Sequence, residues 1–145
     1  MAGISTIAFA NTSSAGATAV ETPPTAVEDF AYPGAAKILT EKGIKLIKGD
    51  GQIVLADCDN SVDQFIVWTR VASGKFCFRA LGKSGHLTLE LDKVYAIQTA
   101  ARPVSADLTT NGQTTTVNVP KDHLEGVGEG TTGAPTILVE LRVTG

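Results

Sequence analysis

The sequence predicts an all-β fold: a β-sandwich of about eight or nine short strands with an extended N-terminal arm. Three observations carry this. From residue 44 onward apolar and polar residues alternate with period two. Gly, Asn and Asp cut the alternation into short runs with little room for a long helix. Asn111-Gly112 sits between two alternating runs, the strongest short-range hairpin signal in the chain. An open barrel is the second architecture that fits this strand count.

Taken in order, residues 2–19 (AGISTIAFANTSSAGATA) are small and weakly apolar, with A-x-A patterns at Ala8-Phe9-Ala10 and Ala17-Thr18-Ala19. They read as the tail end of a signal peptide, since the basic start and the long apolar run of a whole one are missing. The plain alternative is an Ala/Ser/Thr-rich terminus. Residues 20–36 (VETPPTAVEDFAYPGAA) carry Pro23, Pro24 and Pro33, which oppose helix and central strand. A linker would not need aromatic side chains. Val20, Pro23, Pro24, Val27, Phe30 and Tyr32 therefore define either an extended partner-binding peptide that docks in a groove or side chains that fold back on the domain. This places the arm at residues 1–36 and the sandwich at 37–145.

A short helix is expected over Ala35 to Lys42, stopped by Gly43. Ile44, Leu46 and Ile47 then lie among Lys42, Lys45 and Lys48, which could be read as a membrane or acidic-partner patch; the preferred reading is an edge strand whose lysines discourage further pairing. Ile53 and Leu55 follow. Phe65, Val67 and Thr69 share one face of a strand and Ile66 and Trp68 the other, so this strand is apolar on both sides and central. Phe76, Phe78 and Ala80 face inward against Lys75, Cys77 and Arg79; Leu87, Leu89 and Leu91 face inward against His86, Thr88 and Glu90. Residues 94–99 form another strand. Val104, Ala106 and Leu108 lead into Asn111-Gly112, and Thr115, Val117 and Val119 lead out. A last strand from about Thr136 would turn Ile137, Val139, Leu141 and Val143 in and Glu140 and Arg142 out.

Charge is divided unevenly. The 145 residues carry a net charge of -3, and all of it lies in residues 1–36, which hold Glu21, Glu28 and Asp29 and neither Lys nor Arg. The remainder has 12 basic and 12 acidic groups. Such a balance does not suit a protein that neutralises nucleic-acid phosphates, and no apolar run of about 18 residues exists to span a bilayer. Cys58 and Cys77 are read as a disulfide that closes a loop of about 20 residues within neighbouring segments, worth roughly 3 kcal/mol, and with it an extracellular location. Their separation is too short for an immunoglobulin-type bridge between sheets.

Motifs for catalysis are missing: there is no G-x-S-x-G, H-E-x-x-H or P-loop, and His86 and His123 read as solvated. No enzyme, metal or cofactor is expected. Asp57, Asp59, Asn60 and Asp63 could offer oxygens to Ca²⁺, but they lack the Gly and distal Glu of an EF-hand loop, and a turn tied by Cys58 is the preferred reading. Thr114, Thr115 and Thr116, with Thr131 and Thr132, resemble the flat polar faces of secreted sandwiches that bind sugar or protein, although Thr also has high β-propensity.

GDGQIVLADCDN (49–60), FIVWTR (65–70), KFCFRALGKSGHLTLEL (75–91), VYAIQT (94–99) and TTTVNVPK (114–121) resemble a family of small secreted actinobacterial proteins, the adaptor subunits of umbrella toxin particles. The resemblance covers most of the body and both cysteines. It implies a non-enzymatic connector in a secreted antibacterial complex. One surface would bind the repeat-bearing stalk of the toxin subunit, and the N-terminal arm would enter a cleft of a trypsin-like, lectin-bearing subunit. With no Lys or Arg before Lys37, the arm would bind there as an uncut ligand. Two other functions fit a small extracellular sandwich: a free-standing carbohydrate-binding module, or a protease inhibitor that projects the Gly-rich segment Lys121 to Gly133.

Overall fold

Alternating side chains leave most of the strands one apolar face, and two sheets laid face to face bury both sets. The computed structural model describes residues 30–144 and has this arrangement. The described elements run β1 (Phe30–Ala31), α1 (Ala35–Lys42), β2 (Lys45–Gly49), β3 (Ile53–Ala56), β4 (Gln64–Thr69), β5 (Lys75–Ala80), β6 (Ser84–Asp92), β7 (Val94–Gln98), β8 (Val104–Thr110), β9 (Gln113–Val119), β10 (Leu124–Gly126), α2 (Glu129–Thr132) and β11 (Ile137–Thr144). One sheet has the order β1-β2-β6-β11-β8-β9 and the other β10-β7-β4-β5-β3, with every pairing antiparallel. The sandwich expectation holds, and the barrel does not. The strands beyond the expected eight or nine are the shortest, β1 and β10, whose two and three residues are too few to show a period.

The core is the apolar stripe of each strand. Leu87, Leu89 and Leu91 from β6 and Leu138 and Leu141 from β11 meet Phe65, Val67 and Phe78 from β4 and β5, all within a few per cent of full burial. The Phe65 and Phe78 rings stack with centroids 5.6 Å apart. Strand β4 is central, between β7 and β5, as its two apolar faces require. Helix α1 has the expected bounds, and Gly43 closes it in the left-handed conformation with its N–H donated to the Leu39 carbonyl. The β8–β9 turn has φ 52° at Asn111 and 79° at Gly112, the positive pair that a two-residue hairpin demands.

Three expectations need correction. In β11 Leu138 is buried, Ile137 is 38% exposed and Val139 is half-buried, because the register shifts between Leu138 and Glu140 against both β6 and β8. This bulge reverses the alternation midway, so the inward set is Leu138, Leu141 and Val143. A similar shift between Leu46 and Lys48 puts Gly49 in the next inward position of β2. The lysine-bearing β2 is not the sheet margin, since β1 pairs with it through Phe30↔Gly49 and Ala31↔Lys48. Finally, Lys121 to Gly133 does not project as a free loop: it contains β10, which pairs with β7, and α2, which packs on β7 and β10.

Candidate functional site

The part of the arm that the structure describes enters the sandwich beside a groove. Phe30 and Ala31 add the two-residue β1 to the six-stranded sheet, and the Tyr32 N–H donates to the Ile47 carbonyl at 2.9 Å. Pro33 and the left-handed Gly34 then turn the chain into α1. Tyr32 reaches across to the other sheet, where its Oη accepts the Leu55 N–H at 2.9 Å. Leu55 lies on β3, the margin of the five-stranded sheet, so one phenol ties the two sheet margins together.

Two concavities flank this tie. One, of about 500 Å³, is bounded by Phe30, Tyr32, Pro33, Ile38, the Gly49–Gly51 turn and β3. The second, of about 910 Å³, lies between α1 and β5, with Ile38, Leu55, Phe76 and the Cys58–Cys77 disulfide on its walls and Glu41, Lys42 and Lys75 at its rim. The first is the more apolar, and Phe30, 62% exposed, stands at its mouth. Its turn is rigidly held: Asp50 Oδ1 accepts the N–H of Gln52 at 3.0 Å and of His86 at 3.2 Å. Gly49 is required there, because a Cβ would lie 2.8 Å from the His86 carbonyl oxygen.

The sequence-derived partner residues divide accordingly. Phe30 is presented at the groove mouth, whereas Tyr32 is half-buried against the core and hydrogen-bonded within the domain. Val20, Pro23, Pro24 and Val27 lie outside the described residues. The groove walls formed by Ile38, Gly49 and Val54 carried no sequence signal, since chain segments far apart in sequence build them.

Cys58 and Cys77 form the expected disulfide, with Cα atoms 5.2 Å apart. It lies within one sheet, because Ala56 is already paired with Cys77 across β3 and β5. The acidic loop behind it is organised around Arg79, which donates to Asp63 at 2.9 and 3.0 Å and to Asp59 at 3.1 Å. Hydrogen bonds from Ser61, with a smaller contribution from Arg79, hold the Asp59 carboxyl below its usual range. The two aspartates raise the guanidinium in turn, Asp63 foremost. A Ca²⁺ ion would have to displace this guanidinium, so the loop is a turn fastened by Arg79 and Cys58. No group of three or more His, Cys, Asp or Glu side chains among the described residues is placed to hold a metal ion.

The outer faces are equally well paired. On the six-stranded sheet Arg142 donates to both oxygens of Asp107 at 2.8 and 2.9 Å, and Thr116 donates to Asp107 at 2.7 Å. Arg142, then Thr116, pull the Asp107 carboxyl below its ordinary value, against partial burial. On the other face Trp68 is half-buried, its indole N–H is directed at Gln98 Oε1, 3.3 Å away, and the Lys75 ammonium lies 5.3 Å from its ring centroid. It is not a bare platform for stacking a sugar. Among the described residues no helix is long and apolar enough to cross a membrane.

Fold and site together define a disulfide-bonded, two-sheet β-sandwich with an apolar groove where its N-terminal arm joins. Comparison of the chain with protein-family models and with curated proteins found no match.

Proposed function

We propose that this protein is a secreted, non-enzymatic adaptor that connects subunits of an extracellular antibacterial toxin complex. Its N-terminal arm docks in a cleft of a trypsin-like, lectin-bearing partner, and the sandwich contacts a repeat-bearing stalk. The observation that supports this reading best is the division of labour in the arm. Tyr32 anchors the chain across both sheet margins, while Phe30 stays exposed and residues 1–29 attach at the margin of the six-stranded sheet. A partner can thus grip the arm without disturbing the core. The disulfide is compatible with an extracellular location.

The neighbouring readings have less support. Trp68 is occupied by Gln98 and Lys75, which disfavours a glycan-stacking face, and the segment proposed for a protease-inhibitor loop is paired into a sheet.

The test is affinity purification of the tagged protein from culture supernatant. The expected result is co-purification of a lectin-bearing, trypsin-like subunit and a repeat-bearing toxin subunit; a lone monomer that binds glycan refutes the reading. Deletion of residues 20–29, which spares β1 and Tyr32, should abolish capture of the lectin-bearing subunit and leave the melting temperature unchanged. A deletion that reached Tyr32 would lower stability whether or not the arm docks, and so could not separate the two effects.

A further inference from the structure

A sandwich of two open sheets has four margins, and each presents unpaired backbone N–H and C=O groups unless something closes it. Three are closed or short in the described residues. Strand β1 has only two residues. At β3 the Tyr32 hydroxyl takes the outward Leu55 N–H. Strand β10 has three residues and is backed by α2.

The fourth margin, β9, is different. It has seven residues, QTTTVNV, with no charge, no proline and no register shift along its seven pairs with β8. Its first six residues are exposed or half-buried, and nothing among the described residues pairs with its far side. In a two-residue hairpin the residues that close the turn, here Thr110 and Gln113, exchange hydrogen bonds, and the pattern then alternates. Gln113, Thr115, Val117 and Val119 therefore direct their backbone groups to β8. Thr114, Thr116 and Asn118 direct theirs outward.

We infer that β9 pairs antiparallel with β9 of a second copy of this chain, about a two-fold axis at Thr116, and so joins two six-stranded sheets into one. The register follows from the hydrogen-bond count. With the axis at Thr116, Thr116 faces its own counterpart and Thr114 faces Asn118 of the other copy, which matches all three outward residues of each strand. A shift by one pair in one direction sets Asn118 against the turn residue Gly112. A shift in the other sets Thr114 against Pro120, which has no N–H to donate.

Side chains agree with this register. Thr115 would lie beside Val117 of the other copy, and Val117 is half-buried at the rim of the core, so a neighbouring β-branched residue completes its cover. The outer face brings no charge conflict, because Asp107 is held by Arg142 and Thr116. Residues 37–145 have 12 basic and 12 acidic groups, so two sandwiches meet without net repulsion. An uncharged, regular margin is what a self-pairing strand requires and what a strictly monomeric sandwich avoids.

Sedimentation velocity of the full chain over a range of concentrations tests this. The wild type should rise toward twice the 15.0 kDa of one chain. Thr114→Lys with Asn118→Lys sets like charges opposite each other across the axis and should raise the dissociation constant by about tenfold or more. Thr114→Lys with Asn118→Glu sets opposite charges there and should leave the dissociation constant at or below that of the wild type. Thermal melts confirm that each variant folds, and these side chains lie on an exposed margin. A wild type that stays monomeric at millimolar concentration overturns the inference and leaves β9 to a strand of another protein. A dimer equally insensitive to both double variants, or equally disrupted by both, overturns the contact or its register.

Discussion

Tyr32 is the position where anchoring and docking separate most cleanly. Tyr32→Phe keeps the ring against Ile38 and the core and removes only the oxygen that accepts the Leu55 N–H at 2.9 Å. The lost hydrogen bond leaves a half-buried donor without its partner, a cost of about 1 kcal/mol. Tyr32→Ala removes the ring as well. Full burial of an aromatic side chain is worth about 3–5 kcal/mol on truncation, and Tyr32 is half-buried, so the ring contributes about 2 kcal/mol and the total loss is about 3 kcal/mol. Urea unfolding followed by Trp68 fluorescence measures both, with the slope against denaturant unchanged if the variants share one native fold. On a domain of this size the losses correspond to melting shifts of about 4 and 12 °C. The reasoning fails if Tyr32→Phe stays within about 0.3 kcal/mol of the wild type while Tyr32→Ala costs less than about 1 kcal/mol. In that event the phenol does not join the sheet margins, and Tyr32 belongs with Phe30 among the side chains free for a partner.

Cys58→Ala with Cys77→Ala opens a loop with a sequence separation of 19 and should cost about 3 kcal/mol, read as a melting temperature about 12 °C lower than that of the oxidised wild type. Gly49→Ala forces a Cβ to within 2.8 Å of the His86 carbonyl, where the neighbour is backbone and gives way poorly; a loss of about 1–3 kcal/mol is expected by chemical denaturation. Asp107 has an ordinary value of 3.8 and is held lower in the folded state by Arg142. Its contribution is therefore fully present above about pH 4 and disappears as pH falls through the folded value. Asp107→Asn should lower stability at neutral pH by about 1 kcal/mol and flatten the acid limb of the stability–pH curve, both measured by melting between pH 2 and 7.

Legibility in the sequence followed the range of the interaction responsible. The helix at Ala35–Lys42 with its Gly43 stop, the Asn111-Gly112 turn and the doubly apolar β4 depend on neighbours in the chain, and the residues alone place them. The phase of β11 does not. A strand with a bulge obeys period two on each side of Val139, and only the pairing with β6 and β8 fixes where the alternation reverses. Strand β1 is likewise invisible, since two residues have no period and owe their conformation to β2. At the groove the arm aromatics stand out because a Pro-rich segment has little other use for them. Their different roles depend on Leu55, 23 positions from Tyr32, which no local pattern connects to it.

The two margins of the six-stranded sheet have opposite properties, and that difference gives the molecule direction. At one margin β1 carries the arm, fixed by Tyr32 and the α1 turn; at the other, β9 presents outward backbone groups. Five strand spacings of about 4.8 Å separate them, roughly 24 Å before twist. Pairing through β9 doubles the sheet and sends the two arm roots to its far ends, eleven spacings or about 50 Å apart. Arm roots so separated leave room for a partner at each end of the doubled sheet. Where both partners belong to one assembly, the second engagement occurs at the effective concentration set by the first, and a connector of this geometry would hold that assembly more tightly than either contact alone.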